Sequence, residues 1–231
     1  MRNTIEEGDC AICQKRMDLF NALSDKEIDF LRNNKFEVRF NAREILFKQG
    51  GPMTHVACIT RGLVKVYLED THKKNLILSI IKAGEITAGP GFEVDYRHHF
   101  SIAAIEDTTV CFIEINAFKT LLIQNAQFAL NFIGYLNRKN IRYHNKLINL
   151  TQKQMPGRVA DTLLYLSDGI YQSDVFDTSL SRQDLAELSA LTKESVIRIM
   201  KEFKEDGILN FSGNHFEIKS KFALQKISET G

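Results

Sequence analysis

The chain has 231 residues and is nearly neutral, with 30 Lys and Arg against 29 Asp and Glu and a formal net charge of +1. Hydrophobic residues make up 44% and charged residues 26% of the sequence, ordinary values for a globular protein that exclude a fibrous or disordered chain. Four cysteines are too few for a disulfide scaffold at this length, and no apolar run is long enough to span a bilayer.

The beginning of the chain predicts a cytoplasmic location. Its first ten residues, MRNTIEEGDC, lack the apolar core of a secretory signal. The total length suits one large domain or two modest ones. We therefore expect a cytoplasmic protein with no membrane partner.

The first half predicts one helix followed by a set of short strands. Ser24-Asp25-Lys26-Glu27 is similar to a capping box at a helix start. From Phe36 to Ile115, short apolar segments alternate with turns such as Gly50-Gly51-Pro52 and Arg61-Gly62. Many short strands at this spacing are typical of a β-sandwich or double-sheet barrel.

A long helix is predicted over residues 125–154. Its apolar residues recur at alternating steps of three and four, which indicates a coiled-coil seam. The residues predicted to form a homodimer through this seam are Ile133, Leu136, Asn140, Tyr143, Leu147 and Leu150. Asn140 is a polar residue within the seam, and it favours a parallel pairing of two helices in one register. The alternative is a helix buried within one chain. Phe128, Phe132 and Ile148 lie off the seam and are expected to pack on the barrel.

Residues 181–203 predict two short helices separated by a tight turn. Ser181 can cap the first helix, and Asp184 places a negative charge at its positive end. Ser189-Ala190-Leu191 interrupts that helix, and Thr192 can cap the second. The apolar stripe of the second helix comprises Val196, Ile199, Met200 and Phe203. This pattern is typical of a helix-turn-helix, whose second helix lies in the DNA major groove.

The outward side chains of the second helix favour base recognition. Arg198 can bond two acceptors on a guanine edge, and Glu194 can accept from a cytosine amino group. Ile197 can contact a thymine methyl, and Lys193 can contact a base or a phosphate. The alternative is a helical hairpin with a solvated charged face.

Proline and glycine at Met155-Pro156-Gly157 predict a hinge before this region, and Ser212-Gly213-Asn214 predicts a β-hairpin after it.

Charge is spread unevenly along the chain. Residues 151–231 carry ten Lys and Arg against twelve Asp and Glu, a net charge of −2. Residues 125–150 carry four Lys and Arg and no Asp or Glu. Specific DNA binding must therefore depend on locally placed cations.

Ser-Arg-Gln-Asp-Leu-Ala at 181–186 and Lys-Glu-Ser-Val-Ile-Arg at 193–198 resemble the DNA-reading motif of the Crp/Fnr family of bacterial transcription regulators. Ala190 stands where many members have a turn glycine, and Ile197 where members carry Gly or Ser. The family pattern of Arg-Gln and Glu-x-x-x-Arg falls here on Arg182, Gln183, Glu194 and Arg198. The full set of predicted DNA-binding residues is Arg182, Gln183, Thr192, Lys193, Glu194, Ser195, Ile197 and Arg198. Of these, Arg182, Gln183 and Thr192 are expected to hold phosphates.

The resemblance extends over nearly the whole chain, because Gly50, Gly62 and Gly84-Glu85 resemble the cyclic-nucleotide-binding-like jelly roll of the same family. It implies an α+β fold. The expected parts are an N-terminal β jelly-roll barrel over 1–124, a dimerisation helix over 125–154 and a winged helix-turn-helix over 155–231. The expected partners are double-stranded DNA, a second copy of the chain, RNA polymerase and a small-molecule effector.

The resemblance also predicts where an effector binds. Cyclic AMP-binding members use a Gly-Glu, an Arg-Ser and a Thr-Ser pair, and by register this chain has Gly89, His98-His99 and Tyr143-His144 there. The ribose-binding carboxylate and the phosphate-binding guanidinium are thus missing. We expect an effector other than cyclic AMP at these five residues, and no cofactor.

Two sensor chemistries and one enzyme class remain as alternatives. Cys10, Cys13 and Cys111 resemble cluster ligands of oxygen-sensing Fnr, although Met17 lies near the place of the missing third N-terminal cysteine. These thiolates could instead hold zinc, or be structural like Cys58. Haem could use His98, His99 or His144.

The enzyme alternative is a jelly-roll metal enzyme, which needs a His-x-His pair. His98 and His99 are adjacent and would point to opposite faces of a strand. There is also no glycine-rich phosphate loop. We therefore expect a regulator and not an enzyme.

Overall fold

The computed structural model describes residues 17–70 and 74–231. They form two compact units, one made of the described residues up to 69 together with 80–142, the other of the described residues within 70–79 together with 143–231. The fold is α+β, as predicted. Among the described residues, no helix is both long and apolar enough to cross a bilayer.

The first unit begins with a short 3-10 helix, Asp18–Ala22, and helix α1, Asp25–Asn33. The predicted capping box is confirmed, because the Ser24 amide donates to the Glu27 carboxylate at 2.8 Å. Eight strands follow: β1 (Lys35–Phe40), β2 (Ile45–Phe47), β3 (His55–Arg61), β4 (Leu63–Leu68), β5 (Leu76–Lys82), β6 (Ile86–Thr87), β7 (Ser101–Ala104) and β8 (Thr108–Glu114).

These strands form two four-stranded sheets in the orders β1-β8-β3-β6 and β2-β7-β4-β5. The sheets enclose an aliphatic and aromatic core that includes Val38, Ile59, Val66, Ile102 and Phe112. Ala57 and Ile59 of β3 face this core while Val56 and Cys58 face the opposite side, because successive residues of a strand point to opposite faces of a sheet. The predicted double-sheet barrel is confirmed.

Two helices follow β8, where the sequence predicted only one. Helix α2 covers Ile115–Gln124 and helix α3 covers Ala126–Gln152. Asn125 separates them in an extended conformation, and its side-chain oxygen accepts from the Phe128 amide at 3.0 Å. Asn125 therefore ends one helix and caps the next.

A second core joins these helices to the outer face of the barrel. Phe128 and Phe132 of α3 are 0% and 4% exposed. They pack with Phe118 of α2 and with residues of β3 and β8 such as Val56. This confirms the prediction that both phenylalanines pack on the barrel. Ile148, for which the same was predicted, is 48% exposed. The prediction for Ile148 is therefore wrong.

The second unit is a helical domain with a small sheet. Its elements are α4 (Met155–Leu164), a π-helical turn (Tyr165–Tyr171), β9 (Val175–Asp177), α5 (Arg182–Ser189), α6 (Lys193–Glu205), β10 (Leu209–Ser212), β11 (His215–Ile218) and α7 (Lys221–Thr230). The break between α3 and α4 falls where proline and glycine predict it, with Pro156 in the first turn of α4. The sheet has the order β10-β11-β9.

Candidate nucleic-acid interface

Helices α5 and α6 are held by caps at their starts and a tight turn between them. The Ser181 hydroxyl accepts from the Asp184 amide at 3.1 Å, and the Asp184 carboxylate accepts from the Ser181 amide at 2.9 Å. Thr192 caps α6 by accepting from the Ser195 amide at 3.2 Å. Both predicted caps are confirmed.

Ala190, between the helices, has φ of 52° and ψ of 46°, the left-handed region that glycine adopts without penalty. The alanine keeps the turn geometry at a cost of about 1 kcal/mol.

The apolar faces of both helices are buried, which fixes what remains exposed. Leu185 and Leu188 of α5 are 1% and 2% exposed. The predicted stripe of α6, Val196, Ile199, Met200 and Phe203, is at most 4% exposed. Since a helix presents opposite faces to the core and to solvent, the residues between these positions point outward.

The exposed face of α6 carries Lys193, Glu194 and Arg198, while Ser195 and Ile197 are half-buried. The Arg198 guanidinium donates to the Glu202 carboxylate at 2.6 Å, one turn further on. The two side chains are 56% and 47% exposed, so this pair stabilises the helix only weakly. An acceptor on a base edge can therefore replace Glu202 at little cost.

Two of the residues predicted to hold phosphates have other partners in the structure. The Arg182 guanidinium donates to the Gly213 carbonyl and lies 4.9 Å from the ring centroid of Phe216 and 5.5 Å from that of Phe211. The hydroxyl of Thr192 caps α6. Gln183 is exposed at the start of α5, with its side-chain amide 3.2 Å from the Glu187 carboxylate.

The predicted hairpin after α6 is confirmed as β10 and β11, joined by Gly213-Asn214. Gly213 has φ of 56°, which a two-residue hairpin turn requires. Phe176 of β9 stacks on Phe216, and Phe211 lies beside it. Phe211 and Phe216 lie against the Arg182 guanidinium, so the hairpin contacts the start of α5. Strand β9 and this arginine–aromatic stack were missed from the sequence because both depend on residues more than 25 positions apart.

Sequence reasoning also missed a half-buried lysine behind the motif. Lys146, near the end of α3, donates to the Leu188 carbonyl at the end of α5. Burial lowers the pKa of Lys146 to about 8, with the Asp161 charge opposing the shift. A cation at the C-terminal end of a helix is favourable, so Lys146 ties α3 to the first helix of the motif.

The predicted seam of α3 is only partly exposed. Ile133 and Leu147 are 52% and 61% exposed, and Asn140 is also exposed. Leu136 is half-buried against the helix–barrel core of its own chain, and Tyr143 and Leu150 are half-buried as well. The large aliphatic residues that α3 exposes are Leu130, Ile133, Ile141, Leu147 and Ile148. We call these five residues the exposed stripe.

The predicted effector residues are divided between the two compact units. Gly89, His98 and His99 belong to the first unit, and Tyr143 and His144 belong to the second. His98 is 4% exposed and stacks on Phe47 with ring centroids 4.1 Å apart.

The two histidines have different environments. Neither ring nitrogen of His98 has a hydrogen-bond partner in the described part of the chain, and burial lowers its pKa. His99 is exposed and lies 3.0 Å from the Asp95 carboxylate.

The three cysteines predicted as alternative cluster or zinc ligands do not all lie within the described residues. Cys10 and Cys13 lie outside the described residues. Cys111 is 3% exposed on β8, directly opposite Cys58 on β3. No group of three or more His, Cys, Asp or Glu within residues 17–70 and 74–231 could hold a metal ion.

Comparisons with known proteins agree with both halves of this structure. Residues 157–227 match the family model of the Crp-like helix-turn-helix domain, and residues 37–125 match that of the cyclic nucleotide-binding domain. Together the two matches span more than half of the chain.

The transcriptional regulatory protein btr of Bordetella pertussis is 26% identical over 182 residues, 77% of this chain and 75% of that protein. The anaerobic regulatory protein of Bacillus subtilis is 27% identical over 173 residues, 71% of each. The structure of FixK2 from Bradyrhizobium japonicum has a TM-score of 0.78 at 21% identity, over 85% of this chain and 98% of that one, which shows a shared fold.

The chain belongs to the Crp/Fnr family of transcription regulators, because both domain models match, its relatives are regulators of this kind and its fold is shared with them.

Proposed function

We propose that this regulator binds a near-palindromic DNA operator as a homodimer, with RNA polymerase as a further partner, and responds to an effector other than cyclic AMP. The observation that carries the proposal is the exposed face of α6. This face presents Lys193, Glu194 and Arg198 to solvent, while the opposite face of the helix is buried. Side chains at the start of such a helix reach base edges when it enters the major groove.

The side chains of α6 have separate roles in this proposal. Arg198 donates two hydrogen bonds to a guanine edge after leaving Glu202, and Glu194 accepts from a cytosine amino group. Lys193 contacts a phosphate or a base. Gln183 contacts a phosphate from the start of α5, while Arg182 holds the hairpin in place.

Dimerisation is supported by the exposed stripe of α3. Its five residues lie within an arc of about 120° around the helix, given 100° per residue. Each is between 48% and 61% exposed in the single chain. Large aliphatic side chains repeated along one helix face are typical of a coiled-coil contact. Ile133 and Leu147 belong to both the predicted seam and this stripe, and the centre of the stripe lies about 70° around the helix from that of the seam, given 100° per residue.

A ligand other than cyclic AMP is supported by the state of His98 and His99. His98 is buried and kept neutral by its lowered pKa, so it offers no charge to a phosphate. His99 already faces Asp95. Neither side chain reproduces the forked, permanently charged contact of a guanidinium with a phosphate. A calorimetric titration of the full chain with cyclic AMP should show no binding heat at micromolar concentrations.

Selection from random DNA duplexes tests the function as a whole. The full-length protein should enrich two inverted copies of one short sequence, with centres about one helical turn, ~34 Å, apart. No enrichment over the input, or enrichment of a single unrepeated sequence, would contradict a dimeric operator-binding regulator.

A further inference from the structure

The first compact unit contains an open pocket of about 200 Å³ that none of the predicted effector residues lines. Three segments form its walls: the 3-10 helix near the start of the described chain, the turn between β5 and β6, and the middle of α3. The lining residues are Met17, Asp18, Leu19, Gly84, Glu85, Ile86, Tyr135, Arg138, Lys139 and Arg142. We call this the cationic pocket.

The pocket takes its charge from α3. Arg138, Lys139 and Arg142 bring three cations within five residues of a helix, and residues 125–150 contain no Asp or Glu to offset them. Like charges one turn apart destabilise a helix. Among the described residues, neither Arg138 nor Arg142 has a carboxylate partner within 4.0 Å. Both side chains are exposed, so their guanidinium groups are available to a ligand.

The floor of the pocket is held in place by hydrogen bonds. The Tyr135 hydroxyl donates to the Ile86 carbonyl, and the Lys139 ammonium lies 3.4 Å from the same oxygen. That ammonium also lies 4.8 Å from the centroid of the Tyr135 ring. Burial lowers the pKa of Lys139 to about 8, with Glu85 opposing the shift and Arg142 adding to it. Desolvation strengthens the attraction of this charge for an anion.

Apolar groups share the pocket with these cations. Met17 and Leu19 are 4% and 9% exposed and are fixed in the helix–barrel core, and Ile86 is 2% exposed. A ligand therefore meets guanidinium groups and an aliphatic and aromatic surface together. A cavity of about 150 Å³ holds benzene, so about 200 Å³ suits a ligand only slightly larger.

We propose that the cationic pocket binds a small organic anion, a carboxylate or a phosphate monoester with a compact apolar part. Arg138 and Arg142 hold its oxygens, because the planar guanidinium fork matches both groups. Lys139 adds a third donor, and the ligand's apolar part packs on Leu19 and the Tyr135 ring.

The position of the pocket on α3 makes this site compatible with a dimer. Taking 100° per residue, Tyr135, Arg138, Lys139 and Arg142 lie about 120–180° around the helix from the centre of the exposed stripe. A second chain on the stripe would leave the pocket open. A ligand there would connect the N-terminal segment and the barrel to the helix proposed to dimerise.

Calorimetric titration of the full chain without DNA tests the site. The probes are benzoate, phenyl phosphate and inorganic phosphate, with benzyl alcohol as the uncharged counterpart of benzoate. Benzoate or phenyl phosphate should bind at least tenfold more tightly than benzyl alcohol and inorganic phosphate. The preferred one of the two identifies the ligand as a carboxylate or a phosphate ester.

Four variants locate the binding. Arg138→Gln and Arg142→Gln should each weaken the better probe at least tenfold, with unchanged unfolding curves because both side chains are exposed. Arg39→Gln removes an exposed arginine from β1 and should change nothing. Glu85→Gln removes the carboxylate that acts on Lys139 and should strengthen binding severalfold.

Failure to bind any probe at millimolar concentration would overturn the proposal, as would equal binding by the Arg138→Gln and Arg142→Gln proteins and the unsubstituted one. The measurement contains no DNA, so either failure leaves the proposed function standing.

Discussion

The two compact units differ in how far apart along the chain their functional residues lie. The helix-turn-helix needs only residues 181–203, where caps, turn and exposed side chains follow one another. The cationic pocket combines residues from Met17 to Arg142. A site built within one short stretch can be recognised in sequence, whereas a site assembled from three distant segments depends on how the barrel and α3 pack.

The largest expected effect concerns α3, which the two units share. Ile141→Glu places a carboxylate on the exposed stripe, midway along its length between Ile133 and Ile148, and in a dimer near its own copy. An unpaired charge in such a contact costs about 3–5 kcal/mol, so the dimer dissociation constant should rise at least about a hundredfold. Sedimentation equilibrium measures this constant.

The matched control is Ile45→Glu, which changes a 47% exposed isoleucine on strand β2. It should leave the dissociation constant unchanged. If Ile141→Glu behaves like this control, the exposed stripe is not the dimer contact.

Arg182→Ala, in the second unit, distinguishes two roles for Arg182: supporting the hairpin and contacting DNA. Loss of the contacts with Phe211, Phe216 and the Gly213 carbonyl should lower the free energy of unfolding by about 1–2 kcal/mol. Urea unfolding measures the change. Unaltered stability combined with a shallower salt dependence of DNA binding would instead make Arg182 a phosphate contact.

His98→Phe, in the first unit, tests how the buried histidine makes stability depend on pH. Burial lowers the pKa of His98 below its usual value of about 6.5, so below that pH the unfolded chain takes up a proton more readily than the folded one. This histidine therefore makes stability fall as pH drops below about 6.5, until its folded pKa is passed.

Phenylalanine keeps the ring on Phe47 and removes the two unpaired nitrogens. We expect a gain of roughly 1 kcal/mol at pH 7 and a weaker loss of stability between pH 7 and 5. His55, whose pKa burial also lowers, still contributes in both proteins. The exposed His99→Phe is the control, and an identical pH profile for His98→Phe would contradict the buried, neutral state of His98.

The smallest effect is expected at the turn of the motif. Ala190→Gly relieves a left-handed alanine and should stabilise the protein by roughly 0.5–1 kcal/mol, after the added flexibility of the unfolded chain is counted. Ala129→Gly, in the interior of α3, should cost about 1 kcal/mol. Thermal unfolding compares the two. A loss of stability in Ala190→Gly would mean that the turn does not favour glycine.

Sequence reasoning predicted the local features of the fold and missed those that depend on distant packing. The caps at Ser181 and Thr192 and the barrel strands were predicted because each depends on neighbouring residues. Helix α2 was missed because its residues, INAFKTLLIQ, follow β8 without a glycine or proline to mark the change. Leu136 of the predicted seam packs partly on its own chain, a contact with distant residues that its apolar character alone does not reveal.

The candidate sites show the same division. Lys193, Glu194 and Arg198 are exposed where the motif predicts, since a buried stripe fixes the opposite face of a helix. His98 stacks on Phe47, a contact between residues 51 positions apart that the local sequence does not reveal. One sequence feature did point to the cationic pocket: four cations and no carboxylate over residues 125–150.

The most direct test of base recognition by α6 uses the selected operator and a series of duplexes that each change one base pair. Arg198→Ala should lose about 1–3 kcal/mol on the operator and become indifferent to one base pair in each half-site. Lys226→Ala removes the same charge from the exposed face of α7 and should keep every base preference. If Arg198→Ala retains both the affinity and the preferences of the unsubstituted protein, Arg198 does not contact a base and the proposed role of α6 is contradicted.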